Sequence, residues 1–358
     1  MRDLLQAQFT VVDPKALPAD VSVVKGRWPG IRLSPGGGDV AGAGPTGEPW
    51  VDSNGWRVRV AQAQRPGARV WVDAQPQASR TSPEDYVLAF ADAAAHGARW
   101  IVDLDDALAS AIAARKPEAM STWARILQAA AFFTPAAAGA ADEAVIGVLS
   151  SLTGAKVAFT GEVLNNLART RQLYRVIAAD RATPQSFAGL KGVIYTDSVE
   201  PAGNVRKMVL EFVNTGGMLI TSAAWGSLPK GAPQGTHPRF AIRAAGQGAI
   251  AVATNTFSDP YRVPNDAVVL VSHRNDLVRY FNSGPITPCL YRTALHTVFY
   301  SLRPVDDASV WVKGSYRAAR LRAWNRKQTE SVRLEARDAG VEIYLPAVAQ
   351  YASIELEA

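Results

Sequence analysis

The sequence predicts an α/β protein with an all-β C-terminal part, divided into three regions. Strand-like and helix-like segments alternate over residues 1–138 and again over residues 139–248. This alternation is typical of parallel sheets with right-handed crossovers. Over residues 249–358 short strand-like segments follow one another between turns, as in an antiparallel β-sandwich. A chain of 358 residues is also too long for one compact core, which agrees with several domains.

The first region is predicted to be a partial (β/α) barrel or a small open α/β sheet, because about four strands are too few for a closed barrel. One helix is expected to begin after Ser53 or Asn54, and another after Ser82 as its N-cap. The helices are predicted from about residue 57, over 83–96 and over 117–133. The candidate strands are residues 9–12, 21–24, 30–33, 69–74 and 98–104.

The middle region is predicted to be a doubly wound sheet of the flavodoxin-like or amidotransferase-like kind. Its predicted strands are residues 144–149, 173–177, 192–195 and 218–221, with helices over 162–173 and 204–215. Ser198 and Ser222 follow two of these strands, where a nucleophile would sit on a sharp turn. No histidine lies between residues 139 and 235, so this region lacks the usual base and is expected to be catalytically silent.

The third region lacks helical periodicity except over residues 275–281, where we predict a helix with Asn275 as its cap. The predicted strands are residues 249–254, 268–271, 310–312, 331–336, 341–345 and 353–356.

Composition excludes several classes of protein. Cys289 is the only cysteine, and the four histidines are far apart, so neither a disulfide nor a metal site is expected. No cofactor is predicted, because the first strand of the middle region is not followed by a G-x-G-x-x-G motif. The net charge of +6 is modest, and an arginine-rich stretch over 317–337 has no recognition motif, so no nucleic-acid partner is expected.

The sequence has no apolar run that would cross a membrane and no signal-peptide hydrophobic region at its start. We therefore expect a soluble protein with no membrane partner. The compartment stays open, since a periplasmic or secreted location would follow if a leader had been removed.

The segment 44–56 is the densest group of candidate ligand contacts. Trp50 and Trp56 offer faces that stack on sugar rings, while Glu48, Asp52 and Asn54 offer hydrogen bonds to hydroxyl groups. Prolines and glycines interrupt the segment, so we expect a rigid, irregular loop. The alternative is a structural loop whose tryptophans belong to the core and whose Asp52 is a cap.

Three aspartates follow predicted strands of the first region, where α/β barrels place their sites. Asp73 and Asp103 lie at strand ends, and Asp105 is expected to cap the next helix. Trp28 and Arg32 lie beside another predicted strand. All are candidate sugar contacts, with a packed corner and a structural ion pair as the alternative for Trp28 and Arg32.

The order of the three regions resembles the C-terminal part of β-galactosidase-type glycoside hydrolases. The resemblance is carried by residues 123–133 as a last barrel helix, by 144–149 as the first strand of the next domain, and by 210–220. It implies a barrel, then an amidotransferase-like trimerization domain over 139–248 that forms a homo-oligomer, then a β domain. Segment 44–56 also resembles a loop of bacterial barrel hydrolases.

The sequence leaves two functions open. One is a carbohydrate-binding, glycoside-hydrolase-like protein, either a fragment of a longer chain or a degenerate enzyme, in which Asp73 and Glu48 are the catalytic candidates. The other is a non-enzymatic structural or oligomerisation module. No glutamate lies at a strand end within residues 1–110, whereas the family uses a glutamate pair. We therefore expect little or no glycosidase activity.

Overall fold

The computed structural model shows a mixed α/β protein with several sheets. The region before residue 135 contributes a parallel sheet in the order β1–β4–β5, formed by Val21–Lys25, Arg69–Asp73 and Ala98–Trp100. The residues described by the structure are 17–32, 50–77, 82–135, 143–154, 157–255, 259–272, 274–292, 294–301 and 303–358. Within these residues the sheet does not close into a barrel.

The expected strand at residues 30–33 does not belong to this parallel sheet. Of the described residues 30–32, Gly30–Ile31 (β2) form a strand, which pairs in antiparallel fashion with Val51–Asp52 (β3). The candidate strand at 9–12 and the candidate residue Glu48 lie outside the described residues.

The helices of this region begin where their caps predict. Asn54 precedes Gly55–Gln64 (α1), and Ser82 forms a capping box with Asp85 at the start of Pro83–Ala95 (α2). Asp105 caps Asp106–Ala113 (α3), and Pro117 opens Pro117–Phe132 (α4). Small apolar residues on α2 and α4 pack over the sheet in one buried cluster.

The middle of the chain forms a six-stranded sheet with helices on both faces. Alternate residues of each strand enter different clusters: Val148 packs with Val157–Arg169 (α5), and Leu149 packs with Gly203–Asn214 (α6). The strands are Ile146–Ser150 (β6), Tyr174–Ala178 (β7), Gly192–Tyr195 (β8), Met218–Thr221 (β9), Phe240–Ala245 (β10) and Gly248–Ala253 (β11). Their order is β10–β11–β9–β8–β6–β7, with only β10 antiparallel to its neighbour.

Three segments after residue 248 differ from the predictions. Strand β11, expected in the C-terminal sandwich, pairs in parallel with β9 and so extends the middle sheet. Residues 268–271, expected as a strand, continue the helix Arg262–Ala267 (α7) as a π-helical turn. The helix expected over 275–281 is instead the strand Val278–Phe281 (β12), in which alternate residues are buried.

Two antiparallel sheets follow. Their additional strands are Ile286–Tyr291 (β13), Ala294–Phe299 (β14), Ser309–Lys313 (β15), Ala318–Ala323 (β16), Glu330–Ser331 (β17), Leu334–Arg337 (β18), Gly340–Tyr344 (β19) and Tyr351–Glu357 (β20). The strand orders are β12–β15–β19–β18 and β13–β14–β20–β16–β17. Side chains from both sheets, among them Val310 and Ile354, share one buried cluster.

The first and third regions also share a core, because Val298, Tyr300 and Tyr351 lie in the same cluster as α2 and α4. The three-domain division itself stays a prediction. Among the described residues, no helix combines the length and the apolar character needed to cross a membrane.

Candidate carbohydrate site

The aromatic segment packs against the middle sheet's helices. Trp56 lies against Gly161 of α5 so closely that a Cβ atom there would be 2.8 Å from its ring. Two guanidinium groups lie over the Trp50 ring, with Arg169 at 4.1 Å and Arg32 at 5.0 Å from the ring centre. Its edge meets Tyr261 at 5.5 Å between ring centroids. Both indoles are partly buried and join two regions of the protein.

The polar residues of this segment have protein partners. Asp52 forms an ion pair with Arg32 at 2.5 Å. Asn54 is buried and makes two hydrogen bonds to the Arg27 backbone. Its Oδ1 atom accepts from the Arg27 N–H at 2.8 Å, and its Nδ2 atom donates to the Arg27 carbonyl at 2.8 Å. These contacts fix the strand-to-helix connection before α1.

Charged side chains meet at the carboxyl edge of the three-stranded sheet. Lys25 and Asp73 end neighbouring strands in register, and the Lys25 ammonium is 2.5 Å from the Asp73 carboxylate. Asp103 follows β5 at the same edge. Partial burial raises the pKa of Asp103, and the nearby carboxylates of Asp73 and Asp106 raise it further, although the residue remains exposed.

Aromatic side chains lie beneath this edge. Trp28 makes edge-to-face contacts with Tyr86 at 5.0 Å and with Trp100 at 5.3 Å. Its indole N–H donates to the Gln75 carbonyl at 2.8 Å, and only 5% of Trp28 is exposed. The Tyr86 hydroxyl donates to the backbone carbonyl of Asp103 at 3.4 Å. Trp28 therefore supports the edge from below.

Asp105 lies beside a cleft between α3 and α4. One carboxylate oxygen, Oδ1, accepts from the Leu108 N–H at 3.0 Å and caps α3. The other, Oδ2, is buried and has no hydrogen-bond partner among the described residues. The cleft has a volume of about 310 Å³. Its polar lining consists of Asp105, Lys116, Glu118 and Thr122.

The structure thus brings Asp73, Asp103 and Asp105 to one end of the first region, whereas Trp50 and Trp56 face the middle sheet. Sequence reasoning missed Lys25, although its position at the end of β1 was a usable signal. It also missed Lys116 and Glu118, because helix packing brings them to the cleft and no motif marks them.

The corresponding edge of the middle sheet carries hydroxyl groups and one buried carboxylate. Asp197 accepts hydrogen bonds from the Ser150 hydroxyl at 2.5 Å and from the Ser151 N–H at 2.7 Å. Ser222 accepts from the Ala224 N–H at 3.2 Å, which is a cap. Ser150 and Asp197 are both buried, and the Ser222 contact lies within its own turn. In the part of the chain that the structure describes, no group of acidic, histidine or cysteine side chains would hold a metal.

Comparison with solved structures identifies the kind of fold that this chain has. No family model matches the chain, and no curated protein matches it by sequence. Solved structures match with high probability. An α-L-fucosidase isoenzyme 2 from Paenibacillus thiaminolyticus has a TM-score of 0.57 and 13% identity, covering 84% of this chain and 62% of that one. The chain has a glycoside-hydrolase-like fold.

Two further glycoside hydrolases match in the same way. A rhamnosidase from Novosphingobium sp. PP1Y has a TM-score of 0.57 and 11% identity, covering 95% of this chain and 35% of that one. A β-galactosidase from Bacillus circulans sp. alkalophilus has a TM-score of 0.52 and 9% identity, covering 84% and 61%. This chain therefore spans between about a third and two thirds of the length of these proteins.

Proposed function

We propose that this protein binds carbohydrate at the carboxyl edge of its three-stranded sheet, without hydrolysing it unaided. The observation that best supports a ligand here is the buried Oδ2 atom of Asp105. It has no hydrogen-bond donor within the described residues, and Asp105 lines the cleft. Leaving a buried acceptor unpaired costs about 1–3 kcal/mol. Because protein atoms cover Oδ2, a sugar hydroxyl in the cleft would reach it once those atoms move aside, and its donation would then recover that cost.

The neighbouring groups suit a polyhydroxylated ligand. Asp73 and Asp103 would accept from hydroxyl groups, and Lys25, whose side chain is 81% exposed, would donate. Lys116 and Thr122 add donors on the far side of the cleft. In this proposal Trp50 and Trp56 hold the segment that precedes α1, and recognition of the sugar is mainly polar.

The same geometry disfavours hydrolysis. Glycosidases hold one carboxyl group as an acid and a second as a nucleophile or base, at a fixed separation across the scissile bond. Here Asp73 is tied to Lys25, and Asp103 lies in contact with water. Water weakens the electrostatic stabilisation that an oxocarbenium-like transition state requires.

Substitutions at the cleft test binding. We expect Asp105→Asn to reduce sugar affinity about tenfold, since one hydrogen bond to a charged group contributes about 1.5–3 kcal/mol. Asparagine also caps helices, so the melting temperature should hardly change. The measurement is isothermal titration calorimetry with galactosides, fucosides and rhamnosides. Asp106→Asn is the matched control, because Asp106 is the next residue along and does not line the cleft. Equal affinity in both variants would refute the site.

We expect the rate of aryl-glycoside hydrolysis with the protein to equal the rate measured in buffer alone. The reason is the absence, within the described residues, of a protected carboxyl pair at this edge. The assay is release of nitrophenol from a panel of aryl glycosides by the purified protein. Turnover that disappears in both Asp73→Asn and Asp103→Asn would show an enzyme and overturn the second half of the proposal.

A second candidate function is self-association through the middle sheet. It is favoured by Val199, which follows β8 and is 65% exposed. In this case no sugar would bind, and Val199→Glu would shift the protein towards the monomer in analytical ultracentrifugation. Sugar binding by a monomer would exclude this alternative as the main function.

A further inference from the structure

Buried side chains from all three regions meet at Cys289, the single cysteine of the chain. Arg59 of α1 is buried and extends to the middle sheet, where one guanidinium nitrogen donates to the Tyr174 carbonyl. The guanidinium also lies 4.6 Å from the centre of the Tyr174 ring. Its other terminal nitrogen donates to the Cys289 sulfur at 3.5 Å. The sulfur therefore faces a permanent positive charge.

His96 faces the same sulfur from α2. Its Nδ1 atom lies 2.7 Å from the Asp92 carbonyl oxygen, which only accepts hydrogen bonds, so Nδ1 must carry a proton. Since Nδ1 is engaged by this carbonyl, Nε2 is the ring nitrogen left for Cys289, the residue whose influence most strongly raises the pKa of His96. A Cβ atom on Gly55 would lie 2.1 Å from Nε2, so the glycine leaves the space that this ring occupies.

The electrostatic surroundings decide where the shared proton sits. Burial alone would lower the pKa of His96, but the Cys289 sulfur and the Asp92 carboxylate outweigh it and raise the pKa to about 9. The neighbouring His296 behaves in the opposite way, since burial and then the positive charges of His96 and Arg322 lower its pKa to about 4. The surroundings thus shift the pKa values of the two histidines in opposite directions.

We infer that Cys289 gives its proton to His96, so that a thiolate–imidazolium pair is buried where the three regions meet. The S–H bond breaks, the Nε2–H bond forms, and the net charge of the pair does not change. With Asp92 and Arg59, the charges then alternate along the series Asp92, His96, Cys289, Arg59. The pair holds α1 and α2 in place against β13. Its thiolate is a nucleophile that solvent does not reach.

Other ionisable groups surround the pair on every side. Apart from the Asp92 carboxylate, the tyrosines among them add no further anion, because burial raises the pKa values of Tyr280 and Tyr351. The Tyr291 hydroxyl donates to the Ala95 carbonyl at 3.1 Å, and the Tyr351 hydroxyl is 2.7 Å from Nδ1 of His296. The ionisable groups facing the pair are Arg59, Asp92, Tyr174, Tyr280, Tyr291, His296 and Tyr351.

Nuclear magnetic resonance tests this inference without any substitution. Because the chain has one cysteine, ¹³C-labelled cysteine gives a single Cβ signal whose shift distinguishes thiolate from thiol. We expect the thiolate shift in the folded protein at pH 7, and two N–H protons on the His96 ring. A thiol shift at pH 7, in protein that circular dichroism shows to be folded, would overturn the inference.

A substitution adds a second readout. In His96→Gln the proton acceptor is gone, so the Cβ signal should change to that of a thiol at pH 7. His237→Gln is the control, because His237 lies near Asp266 and away from the junction. Iodoacetamide should leave the native thiolate unmodified and form the thioether, with release of iodide, once urea opens the junction. A Cβ shift that is the same in both variants would count against the pair.

Discussion

Replacing Asp92 with alanine is expected to destabilise the protein by about 3 kcal/mol or more. Asp92 is fully buried and accepts four hydrogen bonds. Its donors are the Ser53 hydroxyl at 2.7 Å, the Asn54 N–H at 2.8 Å, the Asn54 side-chain amide at 3.1 Å and the Tyr300 hydroxyl at 2.7 Å. Alanine would remove this shared acceptor from all four donors, although the Tyr300 hydroxyl would keep its contact with the Thr287 hydroxyl at 3.0 Å.

The measurement is urea unfolding followed by circular dichroism, with the midpoint converted into a free energy of unfolding. Asp180→Ala is the control, because Asp180 is exposed and should change stability by less than about 0.5 kcal/mol. Asp92→Asn separates charge from hydrogen bonding, since it keeps one acceptor oxygen and should cost less than alanine. Equal stability of Asp92→Ala and Asp180→Ala would contradict the importance of this network.

Adding one methyl group at Gly55 is the second change for which we expect a large effect. Gly55→Ala would place a Cβ atom 2.1 Å from Nε2 of His96, well inside van der Waals contact. Overpacking of this kind costs about 1–3 kcal/mol. The displaced imidazole would also lose the 2.7 Å contact between its Nδ1 atom and the Asp92 carbonyl oxygen. We expect a lower midpoint of urea unfolding.

Gly203→Ala is a closely matched control. Gly203 is likewise the first residue of a helix, α6, and a Cβ atom there would meet nothing within 4 Å. Replacing a helical glycine that has free space stabilises a protein by about 0.4–1 kcal/mol, because the unfolded chain loses freedom. The two substitutions should therefore change stability in opposite directions, and a similar change in both would exclude the steric explanation.

The sequence predicted the elements that have local signals. Strands β8 and β9 were expected at residues 192–195 and 218–221, where the structure places them, because glycines bound short β-branched runs. Helices α2 and α3 begin after Ser82 and Asp105 because these side chains accept from the first-turn N–H groups.

The elements that were predicted incorrectly show where local sequence signals are insufficient. Residues 268–271, Val-Val-Leu-Val, have the composition of a buried strand, yet they continue α7 and leave Val269 exposed. A short apolar run does not distinguish a helix from a strand, so the preceding helix decides its structure. Asn275 was expected to cap a following helix, but its amide donates back to the Val271 carbonyl at 2.7 Å.

The candidate site was predictable only in part. Parallel strands place their carboxyl ends at one edge, which is why Asp73 and Asp103 could be grouped from the sequence. The cleft beside Asp105 depends on how α3 packs against α4, and no residue spacing encodes that. The role of the aromatic segment depends on Gly161, more than a hundred residues away, whose missing side chain admits Trp56.

The hydrogen bond from Tyr300 to Asp92 joins residues 208 positions apart. The sulfur contact with Arg59 spans 230 positions, and the Tyr291 contact with Ala95 spans 196. During synthesis the first region therefore leaves the ribosome before the Tyr300 hydroxyl, one of the four donors to the buried Asp92 carboxylate, has been made. Contacts this distant along the chain slow folding, because loop closure must come before they form. Until those later residues are made, the surface of the first region that they will cover stays exposed, and transiently exposed apolar surface favours aggregation.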